Sequence, residues 1–141
     1  MKNVLSKFLV GSMVAVMLFG ILAVSASAVS NTGTNSHMRV TVNGSRSPQN
    51  HIRSWGRGEA VGGSTRSVRV SAAVPRPNGG LSASGWSSAG GGNQPLRPGV
   101  GVNSSEITGT TTSGQIRATG QFVRMGSSTW ELPHLIVTRN M

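Results

Sequence analysis

The chain has 141 residues, room for one domain, and it carries 13 basic residues against only 3 acidic ones. Cysteine is absent, which excludes disulfides, thiolate metal sites and cysteine nucleophiles. Aspartate is absent too, and with so few carboxylates the sequence disfavours hydrolysis by a pair of acids. These features favour a small basic binding protein over an enzyme.

The amino terminus has the three parts of a secretory signal peptide. Lys2 and Lys7 make the first residues positively charged, and residues 8–23 form an uncharged apolar run. Ala26 and Ala28 then give the A-x-A arrangement that signal peptidase recognises. The apolar run is shorter than the roughly 20 residues that a spanning helix needs. We therefore expect a bacterial signal peptide over residues 1–28, cleavage before Val29, a secreted product and no stable transmembrane anchor.

The predicted mature segment, residues 29–141, has eleven arginines, three glutamates and no lysine, so its formal charge is +8. Leucine, isoleucine, valine and phenylalanine supply 20 of its 113 residues, and glycine supplies 18. Such a composition predicts a folded but marginal domain, because the burial of little apolar surface must offset a large ordering entropy. We expect a single domain over residues 38–141, preceded by a flexible N-terminus at residues 29–37.

Three segments alternate apolar and polar residues with the period of a half-buried strand. They are residues 38–43, which lead into the turn signal Asn43-Gly44, residues 67–74, and residues 115–123. Residues 67–74 give the strongest signal, with three valines and Ala72 on one face. No window of the mature segment has a helical period.

The remaining segments are assigned by their turn residues. Residues 45–58 predict an exposed connection, and residues 75–103 a long loop rich in Gly, Pro and Ser that includes a short strand near 81–86. Residues 106–112 and 115–123 predict a hairpin, and Pro133 predicts a bend or an edge position in the last segment, 129–139. Five or six short strands with many turns predict an all-β fold, either a small sandwich or a barrel.

No motif in the chain predicts catalysis or a cofactor. The three histidines, His37, His51 and His134, do not fall at a metal-ligand spacing. The chain lacks the G-x-S-x-G elbow of serine hydrolases, and its glycine clusters lack the Gly-Lys-Ser/Thr ending of a phosphate-binding loop. We expect no metal, no cofactor and no catalytic residue.

The arginines carry the main functional signal. An arginine guanidinium is planar and binds phosphate or carboxylate through two parallel hydrogen bonds. One set lies around a tryptophan in the predicted connection, and a second set lies on the polar faces of three predicted strands, where it would line one surface if those strands shared a sheet. The candidate binding residues are Arg46, Arg53, Trp55 and Arg57 in the first set, and Arg39, Arg69 and Arg117 in the second.

These observations favour a secreted basic β-rich protein that binds a polyanionic partner at the cell surface or outside the cell. Wall polymer, anionic lipid headgroups and extracellular nucleic acid are the partner classes. One alternative is an antimicrobial or toxin-like protein that acts on anionic envelopes, with Trp55, Trp86 or Trp130 entering the interface. Another is a solvated basic face without a specific partner, with its arginine bias set by genome composition.

The signal-peptide assignment predicts the mature N-terminus. Sequencing of the exported protein should begin at Val29 or within a few residues of it, because Ala26 and Ala28 place the cleavage site there. A mature, membrane-bound form that retains Met1 would contradict this assignment.

Overall fold

The computed structural model describes residues 28–132 and 134–141, so the predicted signal peptide up to residue 27 and the predicted bend at Pro133 lie outside the described residues. The described residues form ten β-strands and no helix, and they contain no helical segment long and apolar enough to cross a membrane. The strands are β1 (Val29–Thr34), β2 (Met38–Arg46), β3 (Ile52–Ala60), β4 (Thr65–Pro75), β5 (Leu81–Ala83), β6 (Ser87–Gly90), β7 (Gly101–Asn103), β8 (Ile107–Thr108), β9 (Gln115–Arg124) and β10 (Leu135–Asn140).

The strands form two antiparallel sheets that pack face to face as a sandwich, which confirms the all-β prediction and selects the sandwich over the barrel. The first sheet has the order β1-β2-β3-β7, and β8 also pairs with β3. The second sheet has the order β10-β9-β4-β5, and β6 also pairs with β4. The edge strands β1 and β10 meet along one side, where Asn31 Nδ2 donates a hydrogen bond of 2.8 Å to the Thr138 carbonyl.

The centre of the second sheet follows the predicted alternation. In β4 the residues Val68, Val70, Ala72 and Val74 are fully buried and face the first sheet. In β9, which pairs with β4, the corresponding inward positions begin with Ile116, also fully buried. Both strand predictions for this sheet are confirmed, because strict alternation marks a strand with one face in the core.

Glycines at inward positions let the two sheets approach closely. A Cβ atom added to Gly120 would lie 2.3 Å from Val40 Cγ2 and 2.6 Å from Met38 Cε, and one added to Gly58 would lie 3.2 Å from Val70 Cβ. No side chain fits at Gly120 unless its neighbours move. The core is therefore thin, with valines on one sheet packing directly over glycine backbone on the other.

Two predictions for the first strands are corrected. Residues 29–37 were expected to be a flexible N-terminus, but they contain β1, which pairs along its whole length with β2. The strand predicted to end at Asn43-Gly44 continues to Arg46, because Gly44 serves packing rather than a turn: a Cβ there would lie 2.5 Å from Ile116 Cδ1. The turn comes later, at Asn50, which has a positive φ of 63°.

The expected exposed connection at residues 45–58 is wrong as well. Most of it forms β3, a central strand of the first sheet that pairs with β2, β7 and β8. Its inward positions include Ser54, Gly56 and Gly58, which are buried but small. The sequence of β3 therefore shows almost no alternation of apolar and polar residues, although one face of the strand lies in the core.

The predicted hairpin between residues 106–112 and 115–123 does not form. β8 pairs with β3 in the first sheet, whereas β9 belongs to the second sheet. The predicted short strand near 81–86 is present as β5, but residues 75–103 also contain β6 and β7. The last segment forms β10, which is an edge strand of the second sheet, as was expected for one interrupted by proline.

Because the core is thin, we expect alanine to destabilise the protein at one glycine and not at another. Gly120→Ala should lower the free energy of unfolding by about 1–3 kcal/mol, because the new methyl group would overpack against Val40 and Met38. Gly63→Ala is the matched control, since a Cβ there has no atom within 4 Å, and its effect should stay within about 0.5 kcal/mol. Urea unfolding of the two variants measures both values, and equal stabilities would contradict the close packing.

Candidate functional site

The residues predicted around Trp55 lie on the outer face of the first sheet. Arg53, Trp55 and Arg57 occupy alternate outward positions of β3, and Trp55 is half-buried. Both arginines are engaged within the chain: Arg53 Nη2 lies 2.7 Å from a Glu106 carboxylate oxygen, and Arg57 Nε lies 3.1 Å from Glu59. Glu106 and Glu59 therefore neutralise part of the positive charge that was expected to bind a ligand.

Arg39 joins the same ion-pair group from the neighbouring strand. It stands opposite Glu59 in the β2–β3 register, and its Nη1 atom lies 2.9 Å from a Glu59 oxygen. Arg39 and Arg57 thus share one carboxylate. Three arginines face two glutamates on this surface, so it retains little uncompensated charge.

The arginines predicted on strand faces do not form one line. Arg39 belongs to the first sheet, whereas Arg69 and Arg117 lie on the outer face of the second sheet. In the β4–β9 register Arg69 stands opposite Gln121 and Arg117 opposite Ala73, which places them four strand positions apart. The arginines therefore divide between opposite faces of the sandwich.

Arg69 is the centre of a stack with two tryptophans. Its Cζ atom lies 4.4 Å from the Trp86 ring centroid and 4.3 Å from that of Trp130, both within cation–π range. Its Nε donates a 2.8 Å hydrogen bond to Gln121 Oε1, and Nη2 donates to the same oxygen. Burial lowers the pKa of Arg69 from its ordinary value, but arginine in a protein remains charged at neutral pH.

Two loops hold the tryptophans over the second sheet. Ser84, two residues before Trp86, is fixed to β4 because Ser71 Oγ donates to its carbonyl at 2.8 Å and its own Oγ accepts from the Ala72 amide at 3.0 Å. On the other side, the amide next to Trp130 donates to the Phe122 carbonyl at 2.9 Å. Five other residues at outward positions of β4 and β9 are buried as well: Ser67, Ser71, Ala73, Gln121 and Val123.

A second group of arginines gathers at one end of the sandwich, which we call the arginine end. Arg46 closes β2 there and donates to the Thr112 carbonyl, and Thr111 Oγ1 donates to the Pro75 carbonyl beside Arg76. In the β9–β10 register Arg117 stands opposite Thr138 and Arg139 opposite Ile116, so both lie near this end, Arg117 at an outward position and Arg139 at an inward one. The arginine end consists of Arg46, Arg76, Arg117 and Arg139.

None of these four arginines forms an ion pair with a carboxylate in the described part of the chain, where the paired arginines are Arg39, Arg53, Arg57 and Arg124. Their partners are neutral: Arg46 donates to two carbonyls and an amide oxygen, and Arg76 to Ser82 Oγ at 2.7 Å. Arg117 Nε is buried and has no hydrogen-bond partner among the described residues. The positive charge of this end is therefore uncompensated.

The arginine end also presents hydroxyl groups around a shallow depression. The depression has a volume of about 460 Å³, and Arg76, Thr110 and Thr112 contribute to its lining. Sequence reasoning missed Arg76 and Arg139 because each stands alone between uncharged residues. The only sequence features that could have pointed to them are the turn Pro75–Pro77, which contains Arg76, and the position of Arg139 near the end of the last strand.

Neither a metal-binding cluster among the described residues nor a similar protein indicates a reaction or a ligand. Residues 28–132 and 134–141 contain no group of three or more His, Cys, Asp or Glu side chains placed to hold a metal ion. His37 instead stacks on Phe122 with centroids 4.6 Å apart, and His134 meets the edge of Trp86 at 6.2 Å. No protein-family model, curated protein or solved structure matches the chain. The arrangement of the arginines is therefore the basis for assigning a function.

The stack on Arg69 predicts that lysine cannot replace this arginine. Arg69→Lys should lower the free energy of unfolding by about 1–3 kcal/mol, because an ammonium lacks the flat face for two indole rings and the paired donors for Gln121. Arg39→Lys is the control, since an exposed ion pair can re-form with lysine and its effect should stay within about 0.5 kcal/mol. Urea unfolding measures both, and equal effects would show that the stack contributes no stability.

Proposed function

We propose that this chain is a secreted basic β-sandwich that binds a phosphate-bearing polyanion through the arginine end. One observation carries the proposal: Arg46, Arg76, Arg117 and Arg139 lie toward the same end of the sandwich, and none has a carboxylate partner within the described residues. A concentration of one sign of charge raises the local concentration of an oppositely charged polymer and steers its approach.

The neutral contacts of these arginines support binding rather than a merely solvated surface. Hydrogen bonds from Arg46 to carbonyl groups orient its guanidinium without removing its charge. The buried Nε of Arg117 is a donor that the described residues leave unused, and a buried unused donor is costly unless water or a ligand satisfies it.

The surface around Trp55 is the weaker candidate for the same partner. Its arginines bind Glu59 and Glu106, so a polyanion would have to displace two carboxylates to reach them. Wall polymer, extracellular nucleic acid and anionic lipid headgroups all present phosphate groups to arginine. The proposal therefore concerns their shared chemistry, and the choice between them belongs to the experiment.

The test compares two triple variants with the same change in charge. Replacing Arg76, Arg117 and Arg139 with Ala should weaken binding to teichoic acid or DNA at least about tenfold at low salt. The variant neutralises fewer phosphates, so its binding releases fewer counterions from the polymer. Replacing Arg39, Arg53 and Arg57 with Ala should have a much smaller effect. Circular dichroism of both variants, and a second variant limited to Arg76 and Arg139, separates binding from folding.

Lysine variants of the arginine end show whether it has a defined shape. Binding that lysine retains and alanine loses would assign a nonspecific basic surface, whereas loss with both would assign bidentate contacts. Affinity of the unmodified protein should fall steeply between about 0.1 and 1 M salt, as the Debye length shrinks from about 10 Å to about 3 Å. If the unmodified protein binds none of these polymers at low salt, polyanion binding is wrong.

A further inference from the structure

The second sheet exposes large apolar side chains on and beside its outer face. Trp86 is 43% exposed, Ile136 52% and Leu132 73%, and Trp130 next to them is half-buried. Isolated exposed apolar residues are ordinary on a protein surface, but a group of them marks a site of interaction. We call Trp86, Trp130, Leu132 and Ile136 the tryptophan patch.

Trp86 and Trp130 both stack on Arg69, Leu132 follows Trp130 by two residues, and Ile136 lies on the outer face of β10. Ile136 stands opposite Thr119 in the β9–β10 register and points outward, and His134, two residues earlier on the same side, meets the edge of the Trp86 ring. Leu132 lines the rim of a shallow depression together with His134. Trp86, Trp130 and Leu132 lie in loops, but stacking on Arg69 anchors both tryptophans to β4.

The electrostatics around the patch are positive. The outward positions of β4, β9 and β10 carry Arg69 and Arg117 and no carboxylate. Glu131, which precedes Leu132, lies 3.5 Å from the Arg124 guanidinium, so its charge is offset locally. Arg117 also belongs to the arginine end, so the same outer face joins the apolar patch to uncompensated positive charge.

We propose that the tryptophan patch docks on the interface of an anionic lipid bilayer. Indole rings favour the headgroup region because they are apolar with a polar edge, while aliphatic side chains such as Leu132 and Ile136 enter the acyl boundary. Arg117 would meet anionic headgroups beside them. Stacking of sugars or nucleobases explains the patch less well, because Arg69 already covers one face of each tryptophan and the aliphatic residues offer no ring.

This inference goes beyond the proposed function because it rests on apolar contact by the tryptophan patch, and Arg117 is the one residue that the two proposals share. A soluble polymer can neutralise the arginine end, but it offers nothing to Leu132 or Ile136. Tests with soluble polymers and with vesicles can therefore fail separately. Loss of polymer binding leaves patch docking intact, and loss of docking leaves polymer binding intact.

The experiment uses vesicles of equal parts phosphatidylglycerol and phosphatidylcholine, and vesicles of phosphatidylcholine alone. A Trp55→Phe background removes the tryptophan of the opposite sheet, so that emission reports Trp86 and Trp130. Anionic vesicles should shift this emission to the blue, and lipids brominated near the headgroup should quench it. Phosphatidylcholine alone should produce a far smaller change, because it offers the arginines no net charge.

Two matched double variants show whether vesicle binding depends on the tryptophan patch or on exposed apolar residues anywhere on the surface. Leu132→Ser with Ile136→Ser should weaken vesicle binding at least about tenfold, since both side chains are exposed and their loss removes apolar surface from the interface. Val100→Ser with Met125→Ser is the control, because these residues are also exposed but lie outside the patch. Both proteins should keep the far-UV spectrum of the unmodified chain.

Three results would overturn the proposal. The first is an unmodified protein that binds neither kind of vesicle. The second is equal binding by the two double variants, which would mean that charge alone attracts the protein to lipid. The third is a dimer in sedimentation without lipid that the Leu132 and Ile136 changes dissociate, which would make a second copy of the chain the occupant of the patch.

Discussion

The close approach of the two sheets is the constraint on which the rest of this structure depends. A Cβ atom added to Gly120 would overlap Val40 and Met38, and one added to Gly58 would crowd Val70, so the core between the sheets is thin at these two positions. A thin core makes burial on a second surface valuable. The loops that fold over the second sheet supply it, with Arg69 and its two tryptophans as their centre.

The same architecture determines where charge remains available. Arg69 contributes to stability within its stack, and the three glutamates lie beside Arg39, Arg53, Arg57 and Arg124. Outside the stack, the arginines without a carboxylate partner among the described residues are Arg66, Arg97 and the four of the arginine end. The arginine end holds most of them. Arg76 and Arg139 have few contacts with the rest of the fold, so they are the members of the arginine end that can be altered with the least effect on folding.

Strands with strict alternation could be predicted from the sequence, as residues 67–74 and 115–123 show. β3 could not, because its core positions include Ser54 and Gly56, whose burial leaves no apolar pattern. For the candidate site, alternation placed Arg69 and Arg117 on polar faces, but pairing between distant strands decides which arginines meet. The meeting of Arg69 with both tryptophans depends on loops whose course no local pattern specifies.

The most direct test of polyanion binding at the arginine end is an NMR titration of the protein with inorganic polyphosphate at low salt. We predict that amide and guanidinium Nε–H resonances of Arg46, Arg76, Arg117 and Arg139 shift first and together, and that the shifts reverse on addition of salt. Shifts confined to Arg53, Trp55 and Arg57, or no shifts at low salt, would contradict the account.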